Sequence, residues 1–260
     1  MEKLIRLAYV VRGLVYGVIG LLAFKVAIGG GGALADQQGA IAAVGSAPGG
    51  KVLLYLVLAG LVLYALWGLI RALVDPLHKG HGAKGIAYRL GYLVSGLSYG
   101  LLAVATYGLI TAGASAARTG AQNAQTRHTT ASILSQPWGP WVVALAAVIV
   151  IGAGLVEIYQ GLRRNFNRQY QLAGGTGNVR KWIERLGRFG SIARGVVFTL
   201  VGVFLFLAAY QHNASRAQGI DGVLRSLLHQ PYGPWLLGVV AAGLISFGIY
   251  SAMIRRVVKA

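Results

Sequence analysis

The sequence predicts an all-α integral membrane protein, with six transmembrane helices arranged as three parallel two-helix repeats in pseudo-threefold symmetry. Three observations predict it. Of the 260 residues, 56% are hydrophobic and 12% charged, against about 25% charged in a soluble domain. The apolar residues come in long runs: 52–70, 90–117, 129–156 and 230–254 contain no charged residue. One phrase occurs three times, as RGLVYG from Arg12, SGLSYG from Ser95 and RGVVFT from Arg194. Each copy is followed by a proline phrase, PGGK at Pro48, PWGPW at Pro137 and PYGPW at Pro231. Internal repetition of this kind decides the architecture before any local reading does.

The first span is placed at 9–28. Its basic start, apolar centre and Ala33-Leu34-Ala35 resemble a secretory signal, but its copies at Ser95 and Arg194 make it part of the fold. Lys25 interrupts it and can snorkel toward the far interface. The other spans are placed at 52–74, 88–112, 141–162, 192–210 and 235–254. Each is close to the ~20 residues that cross a ~30 Å hydrocarbon layer, where only a helix or a closed barrel satisfies its own backbone. A barrel would show short alternating segments. The three repeats cover 1–80, 81–175 and 176–260.

Within each repeat, the connection between spans carries apolar pairs at helical spacing: Ile41 and Val44, Ile133 and Leu134, then Leu224, Leu227 and Leu228. These predict short amphipathic helices at the interface, each ended by Pro-x-Gly, since proline is tolerated in the first turn of the next helix. Trp138, Trp141, Tyr232 and Trp235 fall where an aromatic belt belongs. Between spans four and five, 163–188 is the longest polar stretch. Glycines break it at 174–177, and 179–186 reads as a separate basic helix on the inner leaflet.

The formal net charge is +18. Eighteen of the 24 Lys and Arg gather at the two termini and at the links between repeats; Lys25, Lys51, Arg118, Arg127, Arg216 and Arg225 lie toward the other side. That split is the positive-inside pattern. It predicts cytoplasmic termini and charges that face anionic lipid headgroups, with no nucleic-acid partner. There is no cysteine, so disulfides, thiolate metal sites and cysteine nucleophiles are excluded.

The three two-helix units, the RG-aromatic-G phrase, GIDGVLRSLLHQPYG from Gly219 and GLISFGIY from Gly243 together resemble a bacterial integral-membrane family, domain of unknown function 1206. The resemblance runs over nearly the whole chain. It implies six helices in three repeats and carries over no catalytic or binding residue.

The candidate functional residues are few. Gly13 and Gly17, Gly96 and Gly100, and Gly195 with Thr199 form small-xxx-small pairs that let helix backbones approach. Ala65, Gly154 and Gly248, at one offset after each repeat proline, are expected to pack the returning helices in the same way. Arg12 and Arg194 begin equivalent helices, where Ser95 is the third member. With Arg180 and Lys181 they form the candidate site for an anion or lipid headgroup. Glu157 and Lys25 are the candidate intramembrane ionisable groups, with Glu157 expected to pair with Arg163 or Arg164. His78 and His81 share a glycine-rich loop with no third ligand, so no metal site is expected. No catalytic triad, paired carboxylates or cofactor motif is legible. The expected role is a non-enzymatic scaffold or accessory protein that binds lipid, a partner subunit or a second copy of itself. The alternative is a small-solute or anion channel or transporter along the threefold axis.

Overall fold

The computed structural model describes residues 2–74, 82–112, 121–163, 170–172 and 178–257. His78, His81 and Arg164 lie outside the described residues. Nine helices and one strand pair account for most of what is described. Six helices are long and apolar enough to cross a membrane: α1 (Glu2–Ala27), α3 (Gly50–Leu73), α4 (Ala83–Ala112), α6 (Gly139–Leu162), α7 (Asn178–Tyr210) and α9 (Gly233–Ala252). Three shorter helices connect them in pairs: α2 (Gln37–Ser46), α5 (Ala121–Leu134) and α8 (Ile220–Leu228).

The turn before each returning helix shows why the Pro-x-Gly phrase recurs. Gly50, Gly139 and Gly233 open α3, α6 and α9. A Cβ on any of them would fall onto a carbonyl of the preceding short helix: Val44 and Gly45, Ile133, or Leu228. Only glycine lets the chain double back this tightly. The short helices do more than lie on an interface. Ile41 of α2 and Val223 and Leu224 of α8 are completely buried in the main core beside Ile19, Leu61, Leu237 and Leu244. They plug one end of the bundle, and α5 touches both α2 and α8 there.

The opposite, basic end holds an element that apolar patterning does not announce. Strands β1 (Tyr170–Leu172) and β2 (Ile254–Val257) pair antiparallel, with Tyr170 opposite Val257 and Leu172 opposite Ile254. The link between α6 and α7 is thereby fastened to the chain beyond α9. Nor is 179–186 a separate helix: it continues without a break into α7. The rigid extension buries Ile183 against Tyr9, Tyr250 and Ile254, while Trp182 stays exposed.

The long helices follow one another around the bundle in the order α6, α7, α9, α1, α3, α4, with the broadest contacts between α6 and α7, α1 and α9, and α3 and α4. Glycines make those three contacts. A Cβ on Gly13 would stand 2.5 Å from the Gly248 carbonyl oxygen, one on Gly195 2.7 Å from that of Gly154, and one on Gly96 3.1 Å from that of Ala65. Each RG-aromatic helix therefore packs on the returning helix of the preceding copy, and the first packs on the last. Gly17 has open space where a Cβ would go, and Gly100 meets nothing nearer than the Ala65 Cβ at 3.9 Å. Hydroxyls within the spans are satisfied locally: Thr106, Thr199 and Ser246 donate to the carbonyls of Leu102, Gly195 and Ala242.

Candidate functional site

Arg12 and Arg194 each directly precede a packing glycine. With Gly13 and Gly195 facing the neighbouring helix, the residue before, about 100° around the helix, turns toward the bundle interior. The two guanidiniums meet there. Arg12 lies 4.8 Å from the centroid of Phe247, and Arg194 lies 4.7 Å from the same ring. Tyr16 meets Phe247 edge-on at 5.2 Å, and Arg194 also stacks on Tyr16 and Phe198 at 5.1 and 4.8 Å. On one side Arg194 Nη2 pairs with Glu157 Oε1 at 2.6 Å. On the other, Arg12 Nη1 donates a long 3.4 Å hydrogen bond to the Tyr64 hydroxyl, and Tyr64 contacts Tyr99 ring to ring at 4.3 Å. Tyr99, Tyr64, Arg12, Phe247, Arg194 and Glu157 thus form one unbroken chain that takes a side chain from each long helix.

Two buried guanidiniums face one carboxylate here. Burying a charge is costly unless it is paired and hydrogen-bonded. Stacking on a ring returns about 0.5–2 kcal/mol per guanidinium, and Glu157 balances one of the two. Donors outnumber acceptors: Arg12 Nε and Arg194 Nε and Nη1 are buried and have no protein acceptor, while Glu157 Oε2 has no donor. A planar fork with spare N–H groups is chemically suited to an oxyanion, whether phosphate or carboxylate.

The other candidate residues lie elsewhere. Arg180 pairs with Glu184 at 3.0 Å on the surface of α7, and Lys181 is exposed beside it. Arg194 is fourteen residues beyond Arg180, roughly 21 Å along the helix, so neither residue joins Arg12 and Arg194. Lys25 is exposed in the last turn of α1, near the plugged end. The expected partner of Glu157 is also corrected. Arg163 folds back on its own helix, donating to the Tyr159 hydroxyl at 2.6 Å, and the carboxylate reaches across to α7 instead.

Sequence reading missed a second use of arginine. Arg89 donates from Nε and Nη2 to the carbonyls of Ala72 and Leu73, at 2.7 and 3.0 Å. Arg188 does the same to Gly161 and Leu162, at 2.9 and 3.0 Å. Each caps the carboxyl end of the returning helix it packs on, where carbonyls lack helical partners and the dipole favours a cation. The signal was available: both stand seven residues before a packing glycine, Gly96 or Gly195.

At the plugged end, two carboxyls are buried. Asp36 caps α2 by accepting from the Gly39 N–H at 2.6 Å. Asp221, in the first turn of α8, is 2% exposed, and its Oδ1 has no partner. Burial first, and the Asp36 carboxylate second, raise the Asp221 carboxyl above the ordinary aspartate range, against the Gly222 N–H and Arg225.

Six apolar helices around a cationic, aromatic interior define a polytopic membrane protein. Residues 7–75, 90–164 and 189–254 match the family described as Domain of Unknown Function (DUF1206). The Bacillus subtilis "Uncharacterized protein YxxB" is 30% identical over 248 residues, covering 95% of this chain and 88% of that protein. The chain belongs to the DUF1206 family. No solved structure matches it.

Proposed function

We propose that this chain is a non-enzymatic binding protein of the bacterial inner membrane, both termini cytoplasmic, whose Arg12 and Arg194 hold the oxyanion of a membrane component or small anion. One observation carries the reading: two guanidiniums converge on a single ring, Phe247, with N–H groups to spare and a single carboxylate, Glu157, beside Arg194. The cyclic contacts of Gly13 on Gly248, Gly96 on Ala65 and Gly195 on Gly154 support three parallel repeats about a pseudo-threefold axis along the membrane normal. The eighteen-to-six division of Lys and Arg supports the orientation. Beyond the arginines the core is filled by Ile19, Leu61, Val197 and Leu244, each no more than 1% exposed, which favours binding over conduction along the axis.

The test is native mass spectrometry of the purified protein and of an Arg12→Ala, Arg194→Ala double variant. Bound anionic lipid or small anion should fall at least tenfold in the variant. Identical bound species in identical amounts would overturn the reading.

A further inference from the structure

We infer that the anionic group enters sideways from the bilayer, between α4 and α6, so that the occupant is an anionic phospholipid. This rests on the reading that Arg12 and Arg194 hold an oxyanion. The long helices run in a row from α6 to α4, and these two ends of the row share no extended contact among the described residues. The equivalent pairs α1 and α3, and α7 and α9, do pack together.

Comparison of the three copies shows what the opening exposes. Sixteen residues after the repeat proline stand Tyr64, Ala153 and Phe247. In the first and third copies this position is an aromatic ring against an arginine. In the second it is alanine, and Ala153 is exposed. A missing ring removes on the order of 150–250 Å² of cover. One helical turn along the same face stands Glu157, whose side chain is 23% exposed although it is paired, with Arg194 behind it at 11%. The chain from Tyr99 to Glu157 therefore ends on the two helices that flank the opening, and its cationic centre is reached between them.

Depth and charge identify the occupant. Arg12 is only four residues into the apolar stretch Tyr9–Ala27, which places it near headgroup level and not at the middle of the bilayer. Both flanking helices present apolar side chains outward, Leu101 and Val104 from α4, Leu145 and Val148 from α6. A phospholipid offers a phosphate to the arginines and acyl chains to such walls. A second copy of the chain would offer the apolar part alone.

The chain has no cysteine, so Ala153→Cys introduces a unique thiol at small cost in volume. The variant is reconstituted in nanodiscs of phosphatidylglycerol and phosphatidylcholine, then alkylated after folding with a bulky maleimide. Retained phosphatidylglycerol should match wild type before alkylation and fall at least fivefold afterward, and millimolar inorganic phosphate should not displace it. Failure of the thiol to react, or full retention of phosphatidylglycerol after alkylation, would overturn the lateral route. So would displacement by inorganic phosphate, or alkylation that dissociates a dimer and leaves the lipid in place. The Arg12→Ala, Arg194→Ala variant measured alongside separates the two readings. If it loses the lipid while the alkylated protein keeps it, only the lateral route falls. If it keeps the lipid, the oxyanion reading falls as well.

Discussion

At the scale of the residue, the arginines divide by where their N–H groups go. Arg89 and Arg188 place Nε and Nη2 on the carbonyls that end a helix. Arg12 and Arg194 place theirs over aromatic rings and keep donors in hand. Both kinds count equally in a charge tally, so the tally that orients the chain says nothing about which of them can bind. Asp221 permits a direct test of burial. Its folded carboxyl holds a proton more tightly than the unfolded one. Its buried charge therefore costs nothing below the ordinary aspartate value of about 3.9, and stability declines as the pH rises from there toward the folded value. Asp221→Asn should raise the Tm in detergent at pH 7, and the difference from wild type should shrink as the pH is lowered to about 4. A difference that stays constant on acidification would sink the explanation. Glu157 was legible as a suspect because it is the one acidic residue within an apolar run, but its partner was not. Nearness in the sequence points to Arg163 or Arg164, and only the neighbouring α7 reveals Arg194.

At the scale of the element, two glycines one turn apart on α1 should behave oppositely. Alanine at Gly13 would put its Cβ 2.5 Å from the Gly248 carbonyl oxygen, whereas Gly17 has open space around the same point. Gly13→Ala should lower stability by about 1–3 kcal/mol, the usual cost of overpacking. Gly17→Ala should be neutral or gain up to about 1 kcal/mol of helix propensity. Equal melting shifts for the two would count against close packing at Gly13. The span positions and the Pro-x-Gly turns follow from patterns repeated in the sequence, which also mark Gly13 and Gly248 as packing positions without pairing them. Two features did not. The extension of α7 back to Asn178 is masked by its charge, since Arg180, Lys181 and Arg185 look like an interfacial helix until Tyr9 and Tyr250 supply a partner for Ile183. The pairing of β1 with β2 joins two very short segments far apart in the chain, and nothing local encodes it.

At the scale of the whole molecule, the three short helices gather at one end, and the β1–β2 pair ties the α6–α7 link to the chain after α9 at the other. That alternation, together with the basic links, predicts that reporter fusions at Asn178 and Gln218 report opposite sides of the membrane. The same side for both would refute the six-span topology. The repeat made three units legible. The order of the helices and the opening between α4 and α6 were not, because they depend on which of several glycine seams close, and the changes that set the second copy apart, Ser95 for arginine and Ala153 for a ring, are single positions among many that vary between copies. The seam between α1 and α9 also bears on how the protein is made. The ribosome delivers α1 long before α9. For most of synthesis, therefore, Gly13 lacks its partner Gly248, and Arg12 lacks the ring of Phe247 on which both guanidiniums come to rest. The nascent chain must carry that unsheltered charge until α9 arrives, four long helices after α1 has been made, and the seam closes only then.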